Sequence, residues 1–280
     1  MNLKTVPQTT LSSEEAIRGI QSKARYLFRT EEFAALTGRI AGGVAVKSAL
    51  ARLSRAGRIA LVSKRPAIWL IVPAEHEHYG APPIDWWLDD YLKNIEPGYY
   101  VALLSAARYW GSGHYARQAF QVMVGSQRPV LTVGRLAVEF MYKKNVTRTP
   151  VVRVSGAVSS LRVSTREATL LDLLRHHSEV GGLEAIVRIA KDFLPDMTPE
   201  GLIEALDALG QAPSAQRLGF LLEQLKASLA HPVAVWLKAR DLNQQPLEKG
   251  QAESEDKTMV SSKWAIRYTQ SQQQLIEELM

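Results

Sequence analysis

The stretch KSALARLSRAGRI, Lys47 to Ile59, decides how the first quarter of this chain is read. On a helical wheel Val46, Ala49, Leu50 and Leu53 fall at i, i+3, i+4 and i+7, the spacing of a core-facing stripe. The opposite side carries Val44, Lys47, Ser48, Ala51, Arg52 and Arg55, and no acid. A helix face that is merely solvated usually mixes signs, because i,i+4 acid–base pairs stabilise it. Here small residues alternate with cations, so the backbone can approach a surface that the cations would attract. The spacing predicts a helix from about Val44 to Ala56, ended by Gly57.

The neighbouring segments supply the context. Downstream, Ile59–Val62 and Ile68–Val72 are short apolar runs around the tip SKRPA, the pattern of a β-hairpin. Upstream, Ser12 and Glu15 are spaced as a capping box for a first helix. A second helix is expected at TEEFAALTG, with Thr30 as N-cap and Gly38 as its stop. Helix, helix, turn, helix and hairpin in that order is the layout of a winged helix-turn-helix. In that layout the last helix reads the DNA major groove and the hairpin is the wing. Val44, Lys47, Ser48 and Ala51, near the start of the helix, are expected at base edges. Arg52, Arg55, Lys64 and Arg65 are expected at phosphates, which position without specifying.

Charge follows the same division. The net charge of the 280 residues is +6. Residues 1–72 carry +8 and residues 73–280 carry −2, so the basic excess lies wholly in the first quarter. That asymmetry predicts a polyanion-binding head on a near-neutral body. The segment PAEHEHYGAPP, Pro73 to Pro83, is polar and Pro/Gly-bearing, and the domain boundary is expected there, giving domains 1–80 and 84–280. The chain has no Cys, which excludes disulfides, thiolate metal sites and cysteine nucleophiles. The N-terminus has no apolar signal-peptide core, and no apolar run is long enough to span a bilayer. A cytoplasmic protein with no membrane association is expected.

Beyond Pro83 helical and extended segments mix, so the fold class expected overall is α+β: a winged head followed by a larger mixed α/β domain. YYVALLSAARYWG and IDWWLDDYLKNI read as helices, as does SAQRLGFLLEQLKASL. Phe120–Val124 and Val138–Tyr142 read as strands, and KWAIRY as a last strand. Catalytic chemistry is not evident. His76 and His78 in EHEHY lack the spacing and further ligands of a metal site. GSGHY, Gly111 to Tyr115, is not followed by the Lys-Ser/Thr of a P-loop. His176–His177 reads as a helix-end pair, Trp86–Trp87 as packing, and Asp172 in LLDLL as a structural hydrogen-bond acceptor. No cofactor, metal or enzymatic activity is expected.

Five stretches in order resemble the AbiEi-type antitoxins of type IV toxin–antitoxin systems. They are ALARLSRAGRIALVSKRPAIWLIVP, PGYYVALLSAARYWG, LRVSTREATLLDLLRHHSEVGGLEAIV, SAQRLGFLLEQL and KWAIRY. The resemblance implies an N-terminal domain that binds double-stranded DNA, inverted repeats in its own promoter, and represses transcription. It implies a C-terminal domain that antagonises a nucleotidyltransferase-like toxin without a stable complex. It carries Lys47, Ser48, Ala51, Arg52, Arg55, Lys64 and Arg65 over as DNA-facing positions. For the antitoxin surface it supplies no residue motif; Arg108, Arg117, Lys143 and Lys144 are the basic residues considered. Two other readings stay open: a winged-helix regulator whose C-terminal domain senses a ligand or dimerises, and an enzyme acting on a nucleotide or nucleic acid.

Overall fold

A computed structural model describes residues 10–113, 119–248 and 257–280. It is a mixed α+β fold with three sheets. The chain divides into two compact units. The first comprises residues 1–97, 129–139 and 155–161; the second comprises 98–128, 140–154 and 162–280.

The first unit begins with α1 (Ser13–Gln21), capped by the expected reciprocal pair: Ser12 Oγ accepts from the Glu15 amide, and Glu15 accepts from the Ser12 amide. β1 (Leu27–Arg29) leads directly into α2 (Thr30–Leu36), and then comes α3 (Val44–Arg55). The hairpin is β2 (Ile59–Lys64) and β3 (Ala67–Ile71). The three strands form an antiparallel sheet in the order β1-β3-β2, with Phe28 opposite Trp69 and Ala60 opposite Leu70. Thr30 is not the N-cap of α2: its hydroxyl instead accepts the Trp69 indole N–H at 3.0 Å, because the sheet brings that ring over the helix start.

The core of this layer is Ala16, Ile17 and Ile20 of α1, Phe33 and Ala34 of α2, and Val46, Ala49, Leu50 and Leu53 of α3, against Leu70 and Ile71. Burying each larger aliphatic side chain is worth about 1.5–3 kcal/mol, which is what fixes the rotation of α3 about its axis. Gly57 closes α3 in a Schellman arrangement. Its φ is +70°, its amide donates to the Ser54 carbonyl, and the Arg58 amide donates to the Leu53 carbonyl.

The segment after the hairpin is a 3₁₀ turn, Ala74–Tyr79, and not an open joint. The predicted helix IDWWLDDYLKNI is broken into a 3₁₀ turn, Ile84–Trp86, and a short α4 (Leu88–Leu92), where Trp87 is fully buried with a non-helical φ of −141°. The sequence pattern puts residues 84–97 with the larger domain; the structure places them in the first unit. The Trp86 ring lies 4.9 Å from that of Tyr26, and Ser159 Oγ donates to the Asp85 carbonyl at 2.5 Å. The tertiary packing of an aromatic pair is not readable from a linker-like composition.

The second unit opens with β4 (Tyr100–Val101) and α5 (Leu103–Tyr109). The sequence pattern reads both as one helix. Instead Tyr100 and Val101 pair with Met123 and Val122, and Leu103, at φ +52°, turns the chain from strand to helix. The next strands along the chain are β5 (Ala119–Val124), β6 (Leu131–Val133), which belongs to the first unit, β7 (Leu136–Tyr142), which passes from the first unit into the second, β8 (Val151–Ser155) and β9 (Ser160–Ser164). β6 and β7 form a hairpin, and β5-β4-β9-β8 run side by side, with β4 and β9 parallel.

Helices follow: α6 (Arg166–Arg175), α7 (Gly182–Phe193), α8 (Pro199–Leu209), α9 (Ala212–Gln224) and α10 (Ala230–Leu237). They pack on one another, α6 against α5, α7, α8 and α9, and α10 against α8 and α9. The expected single helix SAQRLGFLLEQLKASL stops after Gln224, where Lys226 takes φ +54°, and α10 begins anew. The chain ends with β10 (Gln245–Pro246), β11 (Thr258–Ser261), β12 (Ile266–Thr269) and α11 (Gln270–Leu279). The motif SAQRLGF anchors this end. Gln216 Nε2 donates to the carbonyls of Asn243 and Trp264, both at 2.9 Å, and Arg217 Nε donates to that of Pro246 at 2.9 Å. Gly219 lies directly under the Trp264 ring, where a Cβ would collide with the indole carbons.

Candidate functional site

The candidate interface of the first unit is the outer side of α3 with the hairpin tip. The core stripe buries Val46, Ala49, Leu50 and Leu53, so Val44, Lys47, Ser48, Ala51, Arg52 and Arg55 all emerge exposed on the other side. Lys64 and Arg65 are exposed at the tip. Among the described residues no carboxylate pairs with Lys47, Arg52, Arg55, Lys64 or Arg65. Arg55 Nε reaches only its own helix, donating to the Ala51 carbonyl at 3.3 Å. Arg58 differs: it forms an ion pair with Glu14 of α1 at 3.4 Å and is only partly exposed.

The start of α3 is open. Gly43 occupies the N-cap without a side-chain bond, so the first amides of the helix have no intrahelical or capping partner. Ile40, which carries no signal as a site residue in the sequence pattern, sits beside this end and is 83% exposed, next to Val44 at 81%. Its only mark in the sequence is that of an isoleucine within the glycine-bearing turn RIAGG.

The second unit contains a buried polar cluster. Lys143 follows β7, Asp172 lies on α6 and Tyr100 on β4. Lys143 Nζ donates to Asp172 Oδ1 at 2.9 Å and to the Tyr100 oxygen at 2.7 Å, and Tyr100 Oη donates to Asp172 Oδ2 at 2.7 Å. Burial pushes the Lys143 ammonium below its ordinary value, opposed by the adjacent Asp172. Burial, reinforced by the Asp172 charge, holds the Tyr100 phenol well above its ordinary value. The three groups satisfy one another, so this is an ionic rivet between sheet and helix, and Asp172 is a structural acceptor.

Lys143 is therefore no surface cation: only 7% of it is exposed. Its neighbour Lys144 and Arg108 are exposed, and Arg117 lies outside the described residues. A cationic groove of about 470 Å³ opens elsewhere in this unit, lined by Lys226, His231, Lys238 and Lys263 among others. Lys263 is paired with Glu223. Lys226 and Lys238 have no ion-pair partner among the described residues. No spacing in the sequence links these lysines, which come from a helix break, a helix end and the β11–β12 turn.

His76 and His78 do not converge on a metal. His76 stacks edge-on against Trp86 at 5.1 Å, and His78 lies 3.2 Å from Arg135. Among the described residues no group of three potential ligands comes together, and no helix is long and apolar enough to cross a membrane.

Residues 100–224 match the family described as the AbiEi antitoxin C-terminal domain, consistent with an AbiEi-type antitoxin. No curated protein matches the chain. Among solved structures, the chain is similar to the RV2827C protein from Mycobacterium tuberculosis at 15% identity and a TM-score of 0.68. The similarity spans 95% of this chain and 94% of that one. At that identity the likeness is one of fold.

Proposed function

We propose, from the antitoxin-domain match at residues 100–224, that this protein is the antitoxin and autorepressor of a type IV toxin–antitoxin pair. In this reading the first unit is a winged helix-turn-helix. α3 enters the major groove of promoter DNA, and the β2–β3 hairpin is the wing against the phosphates. Val44, Lys47, Ser48 and Ala51 face base edges; Arg52, Arg55, Lys64 and Arg65 neutralise phosphates. The observation that carries the DNA-binding half is a helix face of free cations, without an acid, beside a basic hairpin tip in a chain that bears the antitoxin domain.

The second unit opposes a nucleotidyltransferase-like toxin without a lasting complex, and its unpaired lysines, Lys226 and Lys238, form part of the acting surface. Separation of function tests both halves. The neighbouring reading frame is expressed alone, with the full chain, and with two variants, while a promoter–reporter fusion reads repression. Arg52→Ala/Arg55→Ala is expected to relieve toxicity but not repress. Lys226→Glu/Lys238→Glu is expected to repress but not relieve toxicity. A harmless neighbour, or toxicity that the full chain does not relieve, removes the antitoxin reading. Unchanged repression by the arginine variant removes the assignment of α3.

A further inference from the structure

The chain exposes Ile40 and Val44 at 83% and 81%, whereas no other large apolar side chain among the described residues exceeds 57%. Single exposed aliphatics are ordinary, but these two stand together at one helix end. The Gly43 amide donates to the Ile40 carbonyl at 3.0 Å, closing a turn that holds Ile40 against the first residues of α3. A Cβ on Gly43 would lie 3.7 Å from the Ile40 Cβ, which measures how near that side chain is to the helix start. Gly42 has no neighbour among the described residues within 4 Å of the place its Cβ would occupy, so the turn is open at that position. Val44 is followed at i+3 and i+4 by exposed Lys47 and Ser48, so apolar and polar groups share one exposed side.

The charge around the pair identifies what it meets. Lys47, Arg52, Arg55, Lys64 and Arg65 carry the same sign and lack acidic partners among the described residues. Such a rim suits a polyanion and disfavours a plain apolar protein surface. The floor of the major groove of DNA offers one apolar group, the C5-methyl of thymine, between flanking phosphates. We propose that Ile40 and Val44 read thymine methyl groups, so that the operator half-site carries thymine beneath the N-terminal end of α3. The inference rests on the DNA-binding reading of α3 and adds the base identity that it selects.

The test uses the full chain and the DNA upstream of its own reading frame, amplified with either thymidine or deoxyuridine triphosphate. The two fragments differ only in the C5-methyl groups. Affinity is measured by fluorescence anisotropy over a range of salt. Wild type is expected to bind the uracil fragment about fourfold more weakly for each thymine methyl that Ile40 or Val44 covers, the value of one buried methyl-sized group. Ile40→Ala/Val44→Ala is expected to bind both fragments alike, with the salt dependence of wild type, because no charge is removed. Lys47→Ala is expected to weaken both fragments equally and to keep the methyl preference.

Salt-dependent binding without a methyl preference would overturn the methyl-reading proposal and leave the DNA-binding reading standing. A methyl preference that survives in the Ile40/Val44 variant assigns the readout to other residues and likewise overturns it. No binding to either fragment removes both readings together. Circular dichroism of the variant, compared with wild type, distinguishes a trimmed side chain from an unfolded domain.

Discussion

The salt dependence of the proposed DNA binding is the sharpest quantitative consequence of assigning the α3 face to DNA. The four cations assigned to phosphates, Arg52, Arg55, Lys64 and Arg65, are exposed and carry no ion pair among the described residues, so each is free to displace a condensed counterion. Arg58 is held by Glu14 and is left out. With about 0.9 counterions released per phosphate neutralised, these four cations give a slope of about −3.6 for log affinity against log salt, per protein bound. Raising salt about fourfold then weakens binding about 150-fold. Arg55→Ala removes one of these cations, flattening the slope to about −2.7 and reducing the same loss to about 40-fold, alike for every DNA sequence. Arg58→Ala is expected to leave the slope unchanged. The assay is anisotropy titration of the promoter fragment at a series of salt concentrations. A slope near zero, or Arg58→Ala flattening it as much as Arg55→Ala, would falsify the assignment of this face to phosphates.

Three further outcomes concern the second unit. Asp172→Asn strands the Lys143 ammonium in the interior and is expected to cost about 3–5 kcal/mol, read as a lowered urea midpoint; Lys143→Met/Asp172→Leu, which removes both charges, is expected to cost far less. Gly219→Ala forces a methyl into the Trp264 ring and is expected to cost about 1–3 kcal/mol by the same measurement; an unchanged midpoint would refute the close packing. For Glu223, burial raises the carboxyl, but the bonds from Lys263 and from Trp264 Nε1, the latter at 2.6 Å, outweigh it and hold the carboxyl below its ordinary value. A depressed folded value means this stabilisation is present above the ordinary carboxylate range and is lost as pH falls through the folded value. Glu223→Gln should therefore show a smaller drop in urea midpoint on acidification than wild type, and an identical drop would remove Glu223 from that response.

Local patterns carried much of the fold. The Ser12–Glu15 capping box, the core stripe of α3, the Gly57 stop and the β2–β3 hairpin depend on residues a few positions apart, where side chains and backbone meet whatever the rest does. The exposure of the six candidate DNA-facing residues on α3 followed from the same periodicity: once Val46, Ala49, Leu50 and Leu53 are buried, the opposite side can only face outward. The order of apolar motifs after Gly98 likewise pointed to the antitoxin domain that residues 100–224 match.

Where residues far apart compete for one side chain, local patterns misled. Thr30 looks like a cap but is taken by Trp69, thirty-nine residues on. Tyr100 and Val101 read as helix until Val122 and Met123 offer them a strand to pair with. Lys143 reads as a surface cation next to Lys144, yet alternation at the end of β7 turns one inward and one outward, and only Asp172 on α6 makes the inward charge tolerable. The cationic groove of Lys226 and Lys238 exists because Lys226 breaks the helix and α10 folds back beside it. By itself the sequence determined the helices and hairpin of the head, its basic charge and the family-like order of the body, because these follow from spacing along the chain. Only the tertiary structure decided which charges are free, which are buried and which aliphatic pair stands exposed, because burial and pairing are set by what packs from elsewhere in the chain.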